Sequence, residues 1–128
     1  MGQDIFSIAS KHADWVGRGR HLTATNVSNL NSPGFKAQSI APFETMLQNS
    51  LPQAQPLATH ARHMTMAPSA AEIGVTEDEN RNTLHSGNSV DLDKELLKTG
   101  EFARAHTLNN AVVRSFHRMV LMSTKVGS

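Results

Sequence analysis

Apolar residues recur at helical spacing over two stretches, one at each end of the chain, and lose that period between them. From about Asp4 to Leu30, Ile8, Trp15 and Leu22 fall seven residues apart, with Ala9, Val16, Thr23 and Leu30 in a second row beside them. Ile5 opens a third row, but His12, Gly19 and Asn26 continue it, so that row is apolar only at its start. Such rows mark a helix that packs along its length against another helix. Asp4 is placed to cap it. The helix is intrinsically weak, because Gly17 and Gly19 each cost about 1 kcal/mol relative to Ala. Thr23, Thr25, Asn26, Ser28 and Asn29 add β-branching and side chains that compete for backbone groups.

The second stretch predicts a helix from about Leu92 to Thr124. Leu92, Leu96, Thr99 and Ala103 give one stripe; Phe102, Ala105, Leu108, Val112, Phe116, Met119, Ser123 and Val126 give another at steps of three and four. The change of stripe, at Gly100, predicts two contact surfaces rather than one. Ser89 or Asp91 suits the N-cap. Asp91, Asp93 and Glu95 place negative charge at the positive end of the helix, and Lys125 places a cation at the other.

Between the helices, punctuation replaces period. Pro33 lacks an amide hydrogen and disfavours helix at Ser32, and Gly34 tolerates positive φ, so Pro33-Gly34 suits the centre of a type II turn. Asn29 and Asn31 can bond nearby backbone, and Phe35 leaves the turn free to dock. Residues 42–51 predict a short helix, with Pro42 as its first residue and Phe43, Met46, Leu47 and Leu51 on one face. From Pro52 to Asn88 no period persists, which predicts loop or disorder with room for a short strand at Ile73-Gly74-Val75. The expected fold is mainly α: long N- and C-terminal helices pair as a coiled coil around a loop-rich, partly disordered middle. The segments are 1–36, 37–88 and 89–128.

Composition sharpens this picture. Only 38% of the 128 residues are hydrophobic and 5% aromatic, which predicts a small core and a chain that takes stability from neighbours. Net charge is +1, distributed as +2, −3 and +2 over the three segments, with acids interleaved among the bases. A nucleic-acid binder using its basic terminal helices is therefore the alternative reading. Cysteine is absent, so disulfides and thiolate metal sites are excluded. No apolar run approaches the length of a membrane span, and no cleavable secretory signal is visible.

Candidate chemistry is sparse. His60 and His63 flank Arg62 without an obvious third ligand, and Glu77-Asp78-Glu79 lacks the glycine and spacing of a calcium loop. No nucleophile–base arrangement or phosphate loop stands out. The expectation is a non-enzyme without cofactors. Its candidate residues are the turn motif Asn26, Asn29, Asn31, Pro33, Gly34 and Phe35, and the packing seams Ile5, Ile8, Trp15, Leu22, Leu92, Leu96, Leu108, Val112, Phe116 and Met119.

The stretch from Asn26 to Phe35 resembles the N-x-A-N-x-x-T-P-G-Y signature of bacterial flagellar rod and hook proteins, with Ser28, Ser32 and Phe35 in place of Ala, Thr and Tyr. Gly87, Asn88, Val90, Asp91 and Glu95 are similar to the G-N-x-V-D-x-x-x-E stretch that opens the last helix of one short member. Thr59 and His63 match that member's T-x-x-x-H patch. Another short member carries Tyr-x-Ala-Asn in its last helix, and this chain has no Tyr. The longer members carry an inserted domain for which the middle segment has no room.

The resemblance implies a structural subunit of the proximal flagellar rod. Its terminal helices would pair and then pack with copies of themselves and with related basal-body proteins into a hollow tube that transmits torque across the periplasm. It also implies passage through the flagellar type III export apparatus, with no small-molecule substrate, nucleic acid or membrane insertion. The glycines at 17 and 19 are the departure, and they bear on the straightness of the first helix.

Overall fold

The structure, a computed structural model, describes residues 4–50, 74–78 and 84–125. Two long helices dominate it: α1, Ile5–Ser28, and α3, Leu92–Lys125. At 1.5 Å per residue they run about 36 and 51 Å. Between them lie strand β1, Gln38–Ile40, the short helix α2, Phe43–Asn49, and strand β2, Val75–Glu77.

The terminal helices pair antiparallel. Asn26 lies against Glu95, Gly19 against Phe102, the Ala9 carbonyl against Asn109, and Phe6 against Phe116. The buried residues of α1 are Ala9, Val16 and Thr23 from the second heptad row and Gly19 and Asn26 from the third. Ile8, Trp15 and Leu22 are half-buried beside them. The row discounted for its polarity thus forms part of the seam. Close approach needs a small residue at 19, and the buried polar groups have partners that helical period cannot reveal.

Asp4 occupies the N-cap of α1 with extended backbone, but its side chain makes no capping bond. Pro42 likewise sits at the N-cap of α2 rather than inside its first turn. Asp91 caps α3, its Oδ1 accepting from the amides of Asp93 at 3.1 Å and Lys94 at 3.4 Å.

The expected strand is displaced by two residues and gains an unanticipated partner. β1 and β2 pair antiparallel, with Gln38 opposite Glu77, Ser39 opposite Thr76 and Ile40 opposite Val75. Bonds from Ala41 N–H to Gly74 O (3.0 Å) and from Asp78 N–H to Ala37 O (2.8 Å) extend the ladder. Strands of three residues are too short to display alternation, so pattern alone misses them. Leu51, Thr59, His60, His63, Ile73, Glu79 and Val126 lie outside the described residues.

The two mid-helix glycines have different consequences. A Cβ on Gly19 would overlap the Phe102 ring, whereas a Cβ on Gly17 would meet nothing within 4 Å. Gly17→Ala is therefore expected to stabilise α1 by about 1 kcal/mol, from helix propensity alone. A rise in helical circular dichroism and in the urea midpoint checks it; no change, or a fall, means that position 17 is constrained by something else.

Candidate assembly interface

The turn motif and the start of α3 form one polar junction, built around two buried asparagines. Asn26, 1% exposed, points from α1 at the edge of β1. Its Nδ2 donates to Gln38 O at 2.8 Å, and its Oδ1 accepts from Gln38 N–H at 3.0 Å. The side-chain amide thus copies the pairing of a neighbouring strand. The same Nδ2 donates to Glu95 Oε2 at 3.1 Å.

Asn88 acts from the other side. Its Nδ2 faces the carbonyl oxygens of Asn29 (2.9 Å), Leu30 (3.1 Å) and Ser32 (2.7 Å), and its Oδ1 accepts from Val90 N–H at 2.8 Å. Three carbonyls of the turn that follows α1 are thus held by a residue about 60 positions away.

The turn itself follows the expected geometry. Gly34 has φ of 73°, and Phe35 N–H donates to Ser32 O at 3.3 Å, closing a turn centred on Pro33 and Gly34. Gly34 N–H donates to Ser86 O at 2.9 Å, and Gly87, with φ of 81°, approaches so closely that a Cβ there would stand 3.3 Å from Gly34 Cα. Two glycines at positive φ therefore let two loops pass at backbone contact. The Phe35 carbonyl accepts from Ser89 N–H, and Ser89 Oγ accepts from Ala37 N–H. Ser89 thus serves this loop, leaving the α3 cap to Asp91.

Of the other motif residues, Asn29 caps α1, donating through Nδ2 to Thr25 O and accepting through Oδ1 from the Ser32 hydroxyl. Phe35 is half-buried, while Asn31, Pro33 and Gly34 are exposed.

Glu95 is the charged centre of the junction. It is 1% exposed and accepts from Lys98 Nζ at 3.2 Å; Lys98 also pairs with Asp78 at 2.8 Å, tying α3 to the residue after β2. Burial of the ammonium works to lower the Lys98 pKa. The hydrogen bonds and charges of Asp78 and Glu95 outweigh it, so the pKa rises above the ordinary 10.5. A raised folded-state pKa means that this stabilisation is fully present below pH 10.5 and is lost as pH climbs through the higher folded value. Lys98→Met is expected to flatten that alkaline limb in a titration of helix content against pH. An unchanged limb would assign it to other groups.

Next to the junction, aromatic rings hold the helices together. Phe102 meets Trp15 edge-on at 5.3 Å, Phe43 lies 4.9 Å from His12 and 5.9 Å from Trp15, and Trp15 Nε1 donates to Ala41 O at 2.7 Å. Trp15 and Phe116 pack as their spacing implies, Phe116 against Phe6 at 5.3 Å. The signal missed in the sequence was the correspondence of Gly19 with Phe102 and of Asn26 with Glu95, each separated by more than 60 residues.

Most of the α3 seam faces outward within the single chain. Of its residues Leu92, Leu96, Leu108, Val112 and Met119 are exposed, Leu108 at 65%, as is Leu97 outside the expected seam at 69%. The residues of α3 buried against the rest of the chain are Glu95 and Phe102. Between these apolar residues the exposed side of α3 also carries Glu101, Arg104 and Arg118. Among the described residues no group of three His, Asp or Glu side chains gathers to hold a metal, and no helix is long and apolar enough to cross a membrane.

No protein-family model matches the chain. A relative does: the flagellar basal body rod protein FlgB of Agrobacterium fabrum is 37% identical over 124 residues, covering 94% of this chain and 92% of that protein. Likeness at this level along nearly the whole of both sequences means that the chain belongs to the FlgB family of flagellar basal body rod proteins.

Proposed function

We propose that this chain is a structural subunit of the proximal flagellar rod, assembling through its terminal helices to transmit torque. Likeness to a basal body rod protein over nearly the whole chain carries the reading, and the large apolar side chains that α3 leaves exposed, Leu97 and Leu108 among them, support it. Large apolar side chains left exposed along one helix mark a surface for other chains to cover. Long helices packed side by side share a twisting load over many small contacts. The subunit reaches the periplasmic rod through the flagellar type III export apparatus, and its role is mechanical rather than catalytic. Its partners are copies of itself and other rod and basal-body proteins.

The nucleic-acid alternative is not supported. Of the bases on α3, Lys98 is committed to Asp78 and Glu95, and Lys94, Arg104, Arg114 and Arg118 are interleaved with Asp93, Glu101 and large exposed apolar side chains.

Leu108→Asp tests the proposal. Leu108 touches little in its own chain, so the variant is expected to keep the helix content of the parent while cells carrying it lose rods and swimming. Normal swimming would overturn the assembly role of this face.

A further inference from the structure

Four aromatic rings from three helices converge on one cleft. His12 and Trp15 come from α1, Phe43 from α2 and Phe102 from α3. The cleft holds about 480 Å³ and is open to solvent, a size typical of ligand sites. Phe43 stands at 86° to His12 and 59° to Trp15, and Trp15 at 64° to Phe102. Rings that meet at such steep angles leave faces uncovered by one another, and His12, Trp15 and Phe43 are only half-buried. The indole is fixed in place, since its Nε1 donates to Ala41 O.

The charge around these rings has one sign. Glu44, in the first turn of α2, and Glu101, on α3, line the same cleft and are exposed. Among the described residues neither forms an ion pair. The base in the lining, Lys98, is held by Asp78 and Glu95, so that it and its partners together are negative rather than positive. Aromatic faces attract cations through the ring quadrupole. Carboxylates beside them repel an anion, and an apolar occupant would strip their water without replacing it. A planar guanidinium suits both features at once: it stacks on a ring while its N–H edge donates to a carboxylate.

We propose that this cleft binds an arginine side chain presented by an extended segment of a partner protein, with the guanidinium against Trp15 and Phe43 and between Glu44 and Glu101. Because the cleft is open, the side chain enters while its backbone stays outside. The site is distinct from the apolar side chains that α3 leaves exposed, and it does not depend on the rod role.

Trp15 is the single tryptophan of the chain and tyrosine is absent, so intrinsic fluorescence reports on this cleft. Acetyl-Gly-Arg-Gly-amide, added to the purified full chain at low salt, is expected to change the emission saturably. The same peptide with citrulline for arginine keeps the shape and loses the charge; it is expected to bind about tenfold more weakly. Glu44→Gln and Glu101→Gln are each expected to weaken the arginine peptide about threefold at unchanged helical circular dichroism. Phe43→Leu, which keeps apolar bulk and removes a ring, is expected to do so by a similar factor. A response that never saturates overturns the proposal, as do equal binding of the citrulline peptide and Gln variants that bind like the parent. Propylguanidinium carries the same charge on no backbone and separates the sources. Weaker binding than the peptide supports a partner segment, whereas equal binding assigns the cleft to a free small cation and overturns the docking. None of these outcomes bears on whether Leu108→Asp cells swim, so the cleft and the rod role fail separately.

Discussion

Phe102→Ala is expected to cost about 3–5 kcal/mol, the range for removing a buried aromatic ring. Phe102 is the large apolar side chain that α3 buries against α1. It fills the space over Gly19 and meets the edge of Trp15. The buried apolar set among the described residues is otherwise small: Ala9, Val16, Ala37, Met46 and Val90. A loss of that size is a large fraction of what a domain of this length commonly holds, so the variant should lose most of its helical circular dichroism at 25 °C.

The companion substitution makes the test specific. Gly19→Ala gains about 1 kcal/mol of helix propensity but drives a methyl group into the ring, and overpacking costs about 1–3 kcal/mol. The ring lies flush on the helix and has to leave, so the net effect is destabilising, opposite in sign to Gly17→Ala two residues earlier. In the Phe102→Ala background the clash is gone and the added methyl fills part of the cavity, so Gly19→Ala should then stabilise. Urea unfolding of the four variants closes the cycle, and additive effects would refute the contact.

Asn26→Ala is expected to cost roughly 3 kcal/mol, because buried groups left without a partner cost about 1–3 kcal/mol each. The truncation removes both bonds to the Gln38 backbone and one from Glu95. Glu95 keeps Lys98 as a partner, which bounds the effect. Asn26→Asp discriminates between packing and hydrogen bonding. It conserves size and the acceptor for Gln38 N–H, but it removes the donor and sets a second carboxylate against Glu95. It is expected to be worse than Ala at neutral pH, and a milder effect would mean that the donor at position 26 contributes little. In cells both substitutions should reduce rod incorporation by unsettling the junction, while leaving the outward face of α3 chemically intact.

Much of the architecture was legible in residue order. Two helices with their approximate limits, the stop at Pro33-Gly34 and the short helix after Pro42 all follow from local rules, because capping, proline stereochemistry and positive φ act within a few residues. The Asn26–Phe35 and Gly87–Glu95 motifs also carried the family resemblance. The reason for those particular residues was not legible: Asn88 holds the turn that follows α1, and Glu95 meets Asn26. Each makes sense only beside a residue distant in sequence. The seam of α1 was misjudged for the same reason, since hydrophobic period ranks Gly19 and Asn26 as interruptions and proximity to Phe102 and Glu95 turns them into fitted contacts.

By itself, then, the order of residues determined where the helices lie, where they stop, and that apolar surface exceeds what so small a core can bury, because these depend on local propensity and composition. Tertiary structure alone decided the antiparallel register, the β1–β2 pairing, and which stripe of α3 turns inward. Those choices depend on shape and hydrogen-bond partners that meet only after the chain has folded back on itself.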